Sequence, residues 1–395
     1  MKLNDVVIVG AARTPIGDFM GSLKSFSGVD LGVAAVNGAL KKAGVDPKYV
    51  EELAAGCIYK NGQKGNPARQ VQLKAGIPTT SWAYTLDQQC ASGMKAFELI
   101  YQSVALGKAS VAVALGMESM TNAPYLLLNA REGYRMGDGS LKDSMLYDGL
   151  ICAMEGYHMG ITAENLATEY GISREEQDEL ALMSHQRAVA AKKNGLFIDE
   201  IVPMEIKTRK GVTVVDQDEH PREDVTLEKL AAMRPAFDKN GTVTAGNASS
   251  INDAAAALVL TTMEKAKELG LKPLARIVAT ANSGVEPRIM GIGPAYSIPK
   301  SIELAGLTAD DIDYYEINEA FAAQFLAVNK VLKLDINKVN ANGSGISLGH
   351  PVGATGARLV QTLIYELKRR NGRYGVASLC VGGGPSMSVV IENLS

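Results

Sequence analysis

Four residues, far apart in the chain, carry the side chains best suited to nucleophilic and proton-transfer chemistry: Cys90, Asn318, His350 and Cys380. Cys90 stands in Asp87-Gln88-Gln89-Cys90-Ala91-Ser92-Gly93, directly before a span patterned as a helix. Unpaired amides at a helix start present partial positive charge, so this thiol is expected to ionise below the free value of about 8.5 and to act as a nucleophile. The same small residues equally suit a cysteine that packs a helix start. His350 is surrounded by Gly343, Gly345, Gly349, Gly353 and Gly356, which strip away bulk as a base among close backbones requires. Pro351 suits the first turn of a following helix. An imidazole there also fits a purely structural role. Cys380 closes an apolar run before Gly382-Gly383-Gly384, whose amides can face an oxyanion or simply make a turn. Asn318 separates an apolar run from a helical pattern expected to start at 319, and reads either as a helix cap or as an amide that orients a water or a carbonyl oxygen.

Competing chemistries find no footing. The chain has no Walker sequence, no paired zinc-protease histidines and no Gly-x-Ser-x-Gly elbow. Cys57, Cys90, Cys152 and Cys380 lack metal-ligand or redox spacing, so free thiols and no metal are expected. His185 sits in a polar helical pattern and His220 in a charged loop, which makes them weaker candidates. A net charge of −3 gives no reason to expect nucleic acid or an anionic membrane as partner, so any phosphate must be held locally. No apolar run approaches the roughly 20 residues that cross a bilayer. Without a basic, then apolar leader after Met1, or a targeting tag before Ser395, a cytoplasmic location is expected.

The elements that position these residues follow from hydrophobic rhythm. Short apolar runs at 6–9, 111–115, 276–280, 314–317, 375–379 and 387–392 read as strands, 252–260 returns to a buried small-residue pattern, and 31–43, 92–106, 319–332 and 349–368 read as helices. This alternation defines an α/β layered fold. At 395 residues the chain exceeds one ordinary core, and the rhythm restarts near 275, which suggests a duplicated unit. Between 120 and 246 the character changes to Met- and Gly-rich loops, two polar helices at 162–170 and 174–193 and a charged stretch, as expected of an insertion.

Taken in order, Cys90-x-Ser92-Gly93, Asn318-Glu319-Ala320-Phe321-Ala322, the run from Gly349-His350-Pro351 to Arg358, and Cys380-x-Gly382-Gly383-Gly384 resemble the thiolase family. The likeness spans nearly the whole chain, from Ala11-Ala12-Arg13-Thr14-Pro15 through Asn66-Pro67-Ala68-Arg69-Gln70. His158-Met159-Gly160 and Met290 look like the biosynthetic, acetoacetyl-CoA type. The resemblance implies a five-layered α/β/α/β/α fold of two similar halves, with a first core at 1–119 completed by 247–272, a CoA-binding loop domain at 120–246 and a second core at 273–395. It implies a homotetramer, a dimer of dimers, acting on coenzyme A thioesters with no permanently bound cofactor. Cys90 would take the acyl group, His350 would activate it, Cys380 would move a proton at the second substrate's methyl, and Asn318 and Gly382 would serve oxyanions. Coenzyme A would meet Leu150, His158, Met159, Arg222, Phe237, Ala245, Ser249, Ala320 and Phe321, with Met290 at the acyl pocket. A decarboxylating synthase of the same fold would carry a second His or an Asn in place of Cys380, and a non-catalytic acyl-CoA binder would not need all four residues. Asp87, Ser250, Ala254, Ser344 and Pro385-Ser386 depart from the family pattern and bear on turnover and substrate size.

Overall fold

The computed structural model describes residues 3–209 and 211–395. Runs of small and β-branched residues, buried on both faces, form strands that join in one hydrogen-bonded path. In the first half the order is Trp82–Leu86, Glu52–Gly56, Val111–Ser119, Asn252–Thr262, Val6–Arg13. In the second it is Tyr314–Ile317, Tyr374–Cys380, Pro385–Asn393, Ala275–Gly284. Directions repeat as well: parallel pairing on the outer side gives way to antiparallel pairing toward the junction in both halves. The counterpart of Trp82–Leu86 in the second half shrinks to a single parallel bridge between Tyr315 and Val339. The halves meet through the pairs Val7–Arg276 and Ile8–Ala275.

Helices complete five layers. Gly28–Ala43 and Pro67–Lys74 cover the outer face of the first half, and Pro294–Leu304 and Ala322–Leu332 that of the second. Between the halves lie a first central helix, Ser92–Ala105, and a second, Val352–Arg370. The second is buried almost all round, so its polar side chains need internal partners. Thr362 donates to Glu200 Oε2 at 3.1 Å and Gln361 donates to the Glu200 carbonyl at 3.2 Å. Glu200 in turn accepts from Arg13, which also forms a two-pronged contact with Asp218 at 2.7 and 2.9 Å. All three charges are buried, so removal of Arg13 alone would strand two carboxylates, a loss of about 3 to 5 kcal/mol. This network fastens the segment around 200–218 to both halves.

Two expected boundaries move. The helix expected from 319 begins at Ala322, with Phe321 as its cap and no side-chain cap bond, so Asn318 is free of the capping role. The helix expected from 349 begins at Val352, because Pro351 keeps an extended ψ of 95° and stands before the first turn rather than in it.

The two central helices approach at backbone distance. A Cβ on Gly93 would lie 2.8 Å from the Gly353 carbonyl, and one on Gly356 would lie 2.4 Å from the Met94 amide nitrogen. Both neighbours are main chain and cannot swing aside. Gly356→Ala is therefore expected to lower unfolding free energy by about 1 to 3 kcal/mol despite its better helix propensity. Urea titration of the variant checks this; an unchanged or raised midpoint would show that the crossing tolerates a methyl group.

Candidate active site

The crossing delivers Cys90 and His350 to one place, because each residue sits just ahead of a central helix. Cys90 is the tip of a turn in which Ser92 Oγ accepts from the Gln88 amide at 2.9 Å and donates to the Gln89 carbonyl at 2.6 Å. Gln89 adopts φ +48°, a left-handed conformation that side chains other than glycine rarely take and that lifts the next residue out of the strand-to-helix path. Asp87 accepts from the Gln89 amide at 2.8 Å and pairs with Lys60 at 3.2 Å near the surface, which blunts its effect on the thiol.

A cavity of about 560 Å³ opens over these residues. Its inner wall carries Cys90, His350, Gly382, Met159 and Met290. Leu150, Ala245, Ser249, Ala320 and Phe321 continue the wall outward, with His158 and Phe237 stacked at 4.5 Å between ring centres. Asp18, His220 and Arg222 also border the cavity, and the Arg222 side chain is 56% exposed. Its nearest carboxylate, Asp18, is 3.8 Å away, too loose a pair to neutralise it. The fold thus brings together Cys90, His350, Gly382, Met290 and all nine residues considered above for coenzyme A. Asn318 and Cys380 stand just behind the wall: Asn318 touches His350, and Cys380 is buried among the apolar residues around Met159, Met290 and Phe321.

The electrostatics overturn one expectation. The Cys90 thiol borders the cavity, yet surrounding protein pushes its pKa up to about 11. Burial is the largest cause; the N–H groups of Gly382 and of Cys90 itself oppose it, and Asp87 and Glu118 add to the rise. Desolvation thus outweighs the helix start, and the resting residue is a thiol. His350 moves the other way, down to about 3, through burial and then the Arg358 charge, so it is a neutral imidazole. Thr355 Oγ1 donates to the Pro351 carbonyl at 3.0 Å, so at 2.7 Å it accepts the His350 Nδ1 proton. That assignment leaves the Nε2 lone pair free as a base. Asn318 Nδ2 reaches Nε2 only at 3.4 Å, and among the described residues Asn318 Oδ1 is buried without a partner. Burial raises Cys380 strongly, and negative charge on Cys90 raises it further, so Cys380 also rests as a thiol.

Glu118 is buried and accepts from the amides of Ile58, Tyr59 and Gly353 at 3.0 to 3.1 Å. It ties the start of the second central helix to the first half, with its pKa pushed up to about 7 chiefly by burial. Sequence reasoning missed Glu118, Thr355, Asn252 and the cavity-lining role of Asp18 and His220. Thr355, one helical turn beyond His350, was the one with a local signal. The departures Ser250 and Ser344 turn their hydroxyls inward, to Asn252 Oδ1 at 2.8 Å and to the Ile317 carbonyl at 3.1 Å. Among the described residues no group of three or more His, Cys, Asp or Glu could hold a metal ion, and no helix is long and apolar enough to cross a membrane.

A doubled α/β fold with a thiol and an imidazole on one cavity wall, and a second thiol buried behind that wall, defines an acyl-transferring class. Family models agree: residues 6–264 match the thiolase N-terminal domain and 271–393 the thiolase C-terminal domain. The chain belongs to the thiolase family. It is 52% identical to an acetyl-CoA acetyltransferase of Escherichia coli over all of both chains, and 49% identical to one of Cupriavidus necator over 99% of this chain and 100% of that one. Among solved structures, an acetyl-CoA acetyltransferase from Syntrophomonas wolfei superposes with a TM-score of 0.97 at 49% identity, covering 99% of this chain and 100% of that one. Human mitochondrial 3-ketoacyl-CoA thiolase does so with the same score at 42% identity and full coverage of both.

Two outcomes follow. Alkylation of Cys90 by iodoacetamide in the free enzyme should keep rising with pH up to about 10, since the thiolate fraction grows until pH passes the thiol's raised pKa; a plateau near neutral pH would contradict the resting thiol. Thr355→Val, nearly equal in volume, should slow acyl transfer by roughly tenfold to a hundredfold, the kinetic equivalent of one lost buried hydrogen bond.

Proposed function

We propose that this protein is an acetyl-CoA C-acetyltransferase, which condenses two acetyl-CoA into acetoacetyl-CoA and free CoA and also runs the reverse thiolysis. The observation that carries the reading is the shared cavity wall of Cys90 and His350, with the Gly382 amide aimed at the Cys90 sulfur. The names of relatives about 50% identical along the whole chain support the acetyl substrate. The Met159 and Met290 side chains at the inner wall favour a short acyl group.

Acyl transfer begins when the thioester of the first acetyl-CoA enters and excludes water. His350 Nε2 takes the Cys90 proton as the sulfur attacks, and then returns it to the departing CoA thiolate. The N–H groups of Cys90 and Gly382 hold the tetrahedral oxyanion. For the second substrate, Cys380 passes its proton to His350 Nε2 and, as thiolate, removes a methyl proton; the carbanion then attacks the acetyl carbon on Cys90. Cys90 leaves as thiolate and takes the proton held at His350 Nε2, while Cys380 keeps the methyl proton, which restores two thiols and a neutral imidazole. A desolvated thiolate is a strong base, which suits so weak an acid as an acyl methyl. His350, protonated by then at Nε2, and a water held by Asn318 serve the enolate oxygen. Losing one such donor costs about 2.7 to 4 kcal/mol of barrier, or 10² to 10³ in kcat.

Coenzyme A would lie along the wall from Leu150 to Phe321, with its nucleotide end near the exposed Arg222 guanidinium. Segment 120–246 supplies much of this wall, as a loop domain inserted in the core of 1–119 and 247–272 and facing the second core at 273–395. The reading includes a cytoplasmic homotetramer, which sedimentation would test.

Incubation with acetyl-CoA should leave an acetyl group on Cys90, seen by peptide mass spectrometry. Substrate binding without that adduct would favour a non-catalytic acyl-CoA binder. Cys380→Ser should keep this acylation but abolish hydrogen exchange at the acetyl methyl; undiminished exchange would remove Cys380 from the mechanism.

A further inference from the structure

Asn252, at the start of its strand in the first half, is fully buried, and its carboxamide has no spare valence. Its Oδ1 accepts the main-chain N–H of His350 at 2.9 Å, across 98 residues, and the Ser250 hydroxyl at 2.8 Å. Its Nδ2 donates to the Gly17 carbonyl at 3.1 Å and to Asp18 Oδ1 at 3.3 Å. Swapping the two amide atoms would set an N–H against the His350 N–H and an oxygen against the Gly17 carbonyl and the Asp18 carboxylate, so the orientation is fixed. The carboxamide also fills the space left by Gly349, where φ is +102° and a Cβ would lie 2.4 Å from Asn252 Cγ. Glycine at 349 permits both this positive φ and the close approach of the carboxamide.

We propose that Asn252 is a positioning residue that sets the height of the His350 imidazole over Cys90, by clamping the His350 main chain to the opposite half of the fold. Two anchors then define the base: Thr355 holds Nδ1, and Asn252 holds the peptide from which the ring hangs. The second anchor continues to the open end of the cavity. Asp18, which receives the Asn252 amide, also binds His220 Nδ1 at 2.8 Å and stands 3.8 Å from Arg222. Ser250, where the family pattern has glycine, gives this chain a further donor to the same oxygen and so stiffens the clamp.

The inference rests on His350 acting at Cys90, so the test uses His350→Ala as reference. Steady-state kinetics with acetoacetyl-CoA, iodoacetamide alkylation of Cys90 and thermal unfolding are measured for His350→Ala, Asn252→Ala and the parent enzyme. Asn252→Ala is expected to lower kcat and the alkylation rate together, by about tenfold or more, while KM stays within about threefold. If His350→Ala leaves alkylation and kcat unaltered, the reading of the site itself fails. If His350→Ala is slow but folded Asn252→Ala keeps the parent kcat and alkylation rate, with only its melting temperature lowered, Asn252 is structural and the inference is overturned. Should Asn252→Ala not fold, amide hydrogen exchange of the parent enzyme decides. The His350 amide is expected among the slowest to exchange, whereas exchange at the rate of surface loops would overturn the clamp.

Discussion

Backbone contact between two helices governs this molecule. Gly93 and Gly356 let the Ser92–Ala105 and Val352–Arg370 helices touch without side chains between them. Because Cys90 precedes one helix and His350 the other, their separation is set by main-chain packing rather than by the reach of flexible side chains. Rigid placement of this kind removes much of the entropic cost of bringing reacting groups together. The duplicated strand order supplies the symmetry: each half sends one helix into the middle layer, and the site forms where the two helix starts meet.

The same enclosure explains the charge state. Packing around Cys90, Cys380 and His350 penalises every ionised form, which raises both thiols and lowers the imidazole. The free site is thus a set of neutral groups with one directed lone pair, and the N–H groups of Gly382 and Cys90 are turned toward the Cys90 sulfur. Charge elsewhere is handled differently. Arg13, Glu200 and Asp218 are buried but mutually paired, while Arg222 keeps an exposed guanidinium beside the cavity.

Much of this was legible in the residues. Strand runs such as 314–317 matched the observed element, since their burial on both faces leaves an uninterrupted apolar record. Cys90, His350 and Cys380 each had a plain structural reading, and they stood out because their small-residue and glycine settings recur in order along one chain. What escaped depended on distance or on competing magnitudes. Asn318 reads locally either as a cap or as an orienting amide, and the helix start at Ala322 decides against the cap. The thiol was expected to be acidic from its helix start alone, whereas burial, a property of the whole fold, wins. His220 looked like part of a charged loop because its partner, Asp18, lies 202 residues away.

On this reading two helix starts, fixed by backbone contact, hold sulfur and imidazole around one thioester. A crystal structure of the Cys90→Ala variant with acetyl-CoA tests it most directly. The account predicts the thioester carbonyl carbon within about 3.5 Å of the position vacated by the Cys90 sulfur, with His350 Nε2 at hydrogen-bonding distance of that same position. A thioester lodged elsewhere in the cavity, with His350 facing away from it, would contradict the account.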